Sequence, residues 1–194
     1  MGEEGTVANL GELHRRALER FGQLVHDVRD DQWSAPTPCT EWDVRALVNH
    51  LVVEQLWAPD MLAGRTIAEV GDRYDGDQLG DDPVAAWDAA AARALEVFAE
   101  PGAMDRVVHL SYGDVRAADY CREMTMDATV HGWDLARAIG ADERLDPELV
   151  ADAYALVEHQ VDGLQASRLF APPVDVAPDA DLQTRLLALL GRRA

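Results

Sequence analysis

Histidine and carboxylate side chains recur at one-turn spacing in two distant stretches of this chain, "VNHLVVEQ" and "MDATVHGWDLAR". In the second, Asp127 and His131 stand four apart, which on a helix places both on one face about 6 Å apart. At that separation a carboxylate oxygen and an imidazole nitrogen can share a divalent cation. Two such residues are common by chance, so the pair gains weight only with a third donor. His50, set among Leu47, Leu51 and Val53, supplies one if its helix lies beside that of His131. Three protein ligands then leave a position open for water or substrate. A lone histidine on an apolar face is more often a core residue satisfied by a single hydrogen bond. Against that stands Glu54, at i+4 from His50, placed to hold the imidazole by its other nitrogen or to accept a proton. Asp134 is a candidate for the same two roles toward His131, although with Arg137 it could equally form an ion pair on a solvated face. One carboxylate with two imidazoles suits Zn²⁺, Ni²⁺, Fe²⁺ or Mn²⁺, among which ligand type alone does not choose; Zn²⁺ is the leading expectation.

These residues need helices to hold them. Val7, Leu10, Leu13, Leu18, Phe21, Leu24, Val25 and Val28 fall on one face of a first helix, from Thr6 to about Val28. Thr40 followed by Asp43 reads as the cap of a second, from about Glu41 to Trp57 or a little beyond, because "APD" intrudes there and Gly64 follows soon after. The acidic, Gly-rich stretch Gly64 to Asp82 reads as a surface loop with at most one short helical turn. Pro83 opens a third helix, Val84 to Glu100. "RVVHLSYGDVRA" reads as a strand or hairpin. A fourth helix runs from near Ala117 to Ile139 with Gly140 as its stop, and a fifth from Asp146-Pro147 to about Ala166. "FAPPVDVAPDAD" reads as an extended segment, and "LQTRLLALLGRR" as a short final helix ended by Gly191. The expected fold is mainly α: a four-helix bundle with a short β-hairpin and additional C-terminal helices, one domain over 1–194 with its core in 6–140 and a helical extension over 141–194.

The chain of 194 residues is 48% hydrophobic, enough for a substantial core. Its 36 acidic residues outweigh 17 basic ones, a net charge of -19, which repels nucleic acid and anionic membranes alike. All the basic residues are arginine, so Schiff-base, Walker and general-base lysines are excluded. Two distant cysteines, Cys39 and Cys121, make no disulfide framework, and no apolar run approaches 18 residues. A cytoplasmic protein with a small-molecule partner is expected, and a homodimer stays open. Cys39, just before the second helix, is either a small apolar filler or a thiolate favoured by the helix dipole; Cys121 reads as packing. Trp42, Trp57 and Trp133 either wall a ligand pocket or fill core. His109, Ser111 and Tyr112 border the expected mouth, whereas His14, His26 and His159 have no evident partners and are expected to face solvent.

Taken together, "TPCTEWDVRALVNHL" and "DATVHGWDLARAIG" resemble the N-terminal metal-binding domain of mycothiol-dependent maleylpyruvate isomerase, within the DinB-like superfamily. The tail "FAPPVDVAPDADLQTRLLALLGRR" resembles the ending of short actinobacterial members. The resemblance implies a bundle holding a divalent metal by His50, Asp127 and His131, used to activate a low-molecular-weight thiol such as mycothiol. Two departures accompany it. The family pattern has Glu where this chain has Asp127, one methylene shorter, and Glu123, a turn earlier on the same face, is the candidate to compensate. Only about 55 residues follow Gly140, where the isomerase carries a further thiol- and substrate-binding domain, so isomerisation of maleylpyruvate itself is not the expected reaction. The leading expectation is a metal-dependent thiol transferase or isomerase, with a metal-dependent hydrolase as a near variant. The alternatives are a non-catalytic metal- or small-molecule-binding module, and a metal-independent enzyme using the bundle cavity.

Overall fold

The computed structural model describes the backbone of residues 3–158 and 171–194, and side chains from Leu10 onward. Four long helices build the bundle: α1 (Glu3–His26), α2 (Val44–Leu62), α4 (Pro83–Phe98) and α5 (Ala117–Ile139). The short α3 (Ile67–Val70) lies in the acidic loop, and after α5 come α6 (Pro147–Glu158) and α7 (Leu182–Leu189). Strands β1 (Val107–Leu110) and β2 (Gly113–Arg116) pair antiparallel, Val107 opposite Arg116 and Leu110 opposite Gly113. Mainly helical architecture with one hairpin is thus as expected. Among the described residues no helix is long and apolar enough to cross a membrane. The expected end of the fifth helix, from 159 on, and His159 lie outside the described residues.

Local chemistry sets the helix ends. Asp82 accepts from the Ala85 N–H at 3.0 Å, with Pro83 behind it at the first helical position. Gly140 ends α5 in the left-handed region, φ 75°. The expected Thr40 cap is overturned: Asp43 caps α2, accepting from Ala46 N–H at 2.8 Å. Residues 36–43 fold back through a bridge between Pro36 and Asp43 and a Trp42 N–H to Cys39 carbonyl bond, which postpones the helix by a turn. α2 carries Pro59 of "APD" inside it and runs a little beyond Trp57, to Leu62. Proline in a helix costs about 3 kcal/mol. Burying Met61 and Leu62 contributes about 1.5–3 kcal/mol each, so continuation wins.

α1 packs along α4 and α5, and α2 packs along the same two helices, so α1 and α2 lie across the bundle from each other. Contacts of Phe21 with Trp87 and of His14 with Phe98 make α1 and α4 antiparallel. The His14–Thr125 bond and the Gln32–Ile139 bond make α1 and α5 parallel. Leu18, Phe21, Leu47, Leu51, Trp87 and Leu135 fill one end of the core, and Met61, Phe98, Met104, Val108 and Met124 the other. His14 does not face solvent as expected: it is 1% exposed, on the apolar face of α1, with Nδ1 3.1 Å from Thr125 Oγ1. His26 is exposed but paired, with Nε2 3.0 Å from Asp88.

The far side of α5 is covered as well. Val130 and Trp133 pack against Val150, Ala153 and Val157 of α6 and against Leu186, Leu187 and Leu190. Those last three leucines are fully buried, which stabilises the docked C-terminal segment by about 5–9 kcal/mol before its ordering entropy is counted. Helix α5 is therefore buried on two sides, which is why nearly every residue from Met124 to Ala136 is inaccessible.

Candidate metal centre

The antiparallel packing of α2 against α5 brings the three expected ligands together. Nε2 of His50 lies 3.0 Å from Asp127 Oδ2, and Nε2 of His131 lies 3.4 Å from the same oxygen. One ligand atom from each residue falls within 4.8 Å of the other two. Donors around a tetrahedral ion held at 2.0–2.1 Å stand about 3.3 Å apart, so this donor set fits a divalent cation despite the shorter Asp127. The rings of His50 and His131 meet edge to face, 5.3 Å between centroids, and Trp42 covers both at 4.6 and 5.6 Å. Of the three tryptophans weighed as pocket walls, only Trp42 takes that place: Trp57 packs on Tyr74, and Trp133 is buried against the C-terminal leucines.

Electrostatics follow from the crowding. Burial alone would lower the pKa of His50, but the Asp127 hydrogen bond and the charges of Glu54 and Asp127 outweigh it and raise it to about 9. Burial would raise Asp127, and the two histidines bring it down instead, to about 2. Glu54 is pushed up to about 8 by burial and by the Asp127 charge. Glu54 does not hold His50 by its other nitrogen as expected. Its Oε1 is 3.8 Å from Nε2, the nitrogen that faces Asp127, and its buried Oε2 has no hydrogen-bond partner. That places a carboxylate beside the donor set rather than behind it. Glu123 accepts from the Tyr112 hydroxyl of the hairpin turn and does not join the donor set. His109 is bonded across the hairpin to Asp114.

Behind His131 lies a second layer. Its Nδ1 is 2.9 Å from Oδ2 of Asp134, a carboxylate with no exposed surface, so the ring donates there and turns Nε2 toward Asp127. Arg137 is not part of this: it lies over the Trp133 ring and pairs with Glu143. The guanidinium on Asp134 comes from Arg192 after α7, Nη2 to Oδ2 at 2.8 Å and Nε to Oδ1 at 3.3 Å. Arg192 Nη2 also reaches Cys39 Sγ at 3.1 Å. Cys39 is no activated thiolate, since burial and the Asp134 charge push its thiol up to about 12. Cys39, His131 and Asp134 also cluster within 4.8 Å, but there Arg192 already supplies the positive charge. Neither Arg192 nor the place of Cys39 was foreseen, because 153 residues separate the two.

An antiparallel helix pair presenting two imidazoles and a carboxylate, one imidazole oriented by a buried aspartate, defines a helical-bundle protein with a histidine–carboxylate centre. The chain belongs to the mycothiol maleylpyruvate isomerase N-terminal domain family, whose sequence profile matches residues 14–136. Two uncharacterised proteins of Mycobacterium tuberculosis, from strains CDC 1551 / Oshkosh and ATCC 25618 / H37Rv, are each 38% identical to it over 187 residues. The match spans 92% of this chain and 95% of theirs. No solved structure gives a significant match.

Proposed function

We propose that this protein binds one divalent metal ion through His50, Asp127 and His131 and uses it to activate a low-molecular-weight thiol of the mycothiol type against a small electrophile, as a transferase or isomerase. The observation that carries this reading is the approach of two imidazole Nε2 atoms to one carboxylate oxygen, at 3.0 and 3.4 Å. When bound there, a divalent ion, Zn²⁺ foremost, makes a thiolate or hydroxide available near neutral pH. The chain's own residues do the rest. Asp134 fixes the His131 ring by accepting from Nδ1, and Trp42 shields both imidazoles from water on one side. Glu54, whose Oε2 is unpartnered and which the charge of a bound divalent ion would hold deprotonated, accepts the proton that the nucleophile gives up. No lysine competes as base or Schiff-base former. Two unpaired cysteines suit a reducing compartment, and we place the protein in the cytoplasm.

The test is elemental analysis of protein purified without chelator, beside His50→Ala and His131→Ala. One equivalent of metal per chain, lost in both variants, is expected. Mycothiol-dependent consumption of a haloaromatic electrophile is then compared among the three proteins. Metal retained by the variants overturns the site, and turnover no faster than theirs overturns catalysis while leaving a metal-binding module.

A further inference from the structure

The residue that completes the centre from behind lies outside the family match. Arg192 follows α7, in the last turn of the described chain. Gly191 adopts φ 81°, and its N–H and that of Arg192 bond back to the carbonyls of Ala188 and Leu187 at 3.0 and 2.8 Å. A helix that closes this way needs a residue tolerant of the left-handed region. Space demands glycine too, because a Cβ at 191 would stand 2.6 Å from Ala171 Cβ and 2.7 Å from its carbonyl oxygen. The turn is anchored by Leu186, Leu187 and Leu190 and throws the Arg192 side chain back under α5. There Arg192 is 7% exposed. Its Nη1 donates to Leu190 O at 2.9 Å, its Nε and Nη2 hold both oxygens of Asp134, and Nη2 reaches Cys39 in the loop before α2.

We infer that Arg192 is a positioning residue for the metal centre: by gripping Asp134 from the C-terminal turn, it fixes the carboxylate that aims His131 Nε2 at Asp127. The inference rests on the metal-binding reading above and adds to it a linkage. Docking of the C-terminal turn and metal affinity are coupled, so each strengthens the other by the same factor. A guanidinium fork holds a carboxylate in a plane, which a solvated or single-pronged partner does not. Asp134 without it keeps only its contacts with His131 and Cys39, and the aim of the His131 ring loosens with the carboxylate.

The experiment measures Co²⁺ affinity and its visible absorption in wild-type protein and in Arg192→Ala, Arg192→Lys and Gly191→Ala. Far-UV circular dichroism establishes that each is folded. Loss of an orienting partner typically weakens metal binding about 10–100-fold. That loss, with an altered cobalt spectrum, is expected for Arg192→Ala. Gly191→Ala, which keeps the guanidinium but moves its root, should lose affinity in the same direction, and Arg192→Lys should recover part of it. Should Arg192→Ala fail to fold, the lysine and Gly191→Ala variants carry the comparison. A folded Arg192→Ala within about twofold of wild type, well short of that expected loss, overturns the inference. The metal-free protein supplies a separate readout in ¹⁵N imidazole spectra. The His131 Nδ1 proton is held in wild type and exchange-broadened in Arg192→Ala, and an unchanged signal also overturns the inference. Failure of wild type to bind Co²⁺ overturns the metal reading instead and with it the coupling, while the imidazole spectra still decide whether Arg192 positions the ring.

Discussion

Raising the pH of the metal-free protein should unfasten the His50–Asp127 contact. His50 has its pKa raised above the ordinary 6.5, to about 9, so the folded state holds its proton more tightly than the unfolded chain. The stability that follows is fully present below about pH 6.5 and is lost as pH rises through 9. At 1.36 kcal/mol per unit, the shift amounts to at most about 3 kcal/mol, reduced to about 2 because water reaches part of the ring. Asp127, brought down to about 2, reports the same contact from its other side and adds nothing separate at these pH values. Glu54, raised to about 8 by burial, acts in the same direction, losing stability between its ordinary 4.5 and 8. The comparison is therefore made in Glu54→Gln protein, with and without His50→Gln. Stability from urea unfolding in chelator, followed from pH 6 to 10, should fall in the first, by less than the amount above because the Glu54 charge no longer supports the His50 proton, and stay nearly level in the second. A midpoint that rises with pH, or an equal fall in both proteins, refutes the reasoning.

Two further outcomes concern the scaffold. Gly22→Ala sets a Cβ 2.7 Å from Nε1 of the buried Trp87, so overpacking should cost about 1–3 kcal/mol in urea unfolding; an unchanged midpoint contradicts that close approach. Thr66→Ala removes the box in which Thr66 and Glu69 cap α3 reciprocally. A loss of about 1 kcal/mol should speed proteolytic cleavage within residues 64–82 roughly fivefold where local opening limits it.

The parts of the fold written in local pattern were legible from the chain. Helix α5 could be bounded at Ala117 and Ile139 because its periodicity is long and Gly140 stops it, and the hairpin declared itself by β-branched residues beside Gly113. The three donors could be paired because i,i+4 spacing and a family resemblance agreed. What escaped depends on contacts far apart in sequence. Nothing local distinguishes Arg192 from Arg193, and only the turn at Gly191 sends the former inward. Cys39 looks like any small residue before a helix until α5 brings Asp134 to it. His14 was legible in principle, since it falls four residues after Leu10 and seven before Phe21, both buried. Asp43 prevailed over Thr40 because the preceding loop folds back on itself, a tertiary preference that capping patterns do not contain.

Helix α5 is clamped between the bundle and the layer formed by α6 and α7, so its middle cannot breathe unless two cores open together. Amide exchange there should belong to the slowest class in the molecule, and Asp127, His131 and Asp134 ride on that strut. His50 stands on the opposing helix, which among the described residues has no second layer behind it of the kind that α6 and α7 give α5. Whatever is large enough to need room at the centre has to make it by displacing the α2 side, while the α5 side stays as a fixed anvil.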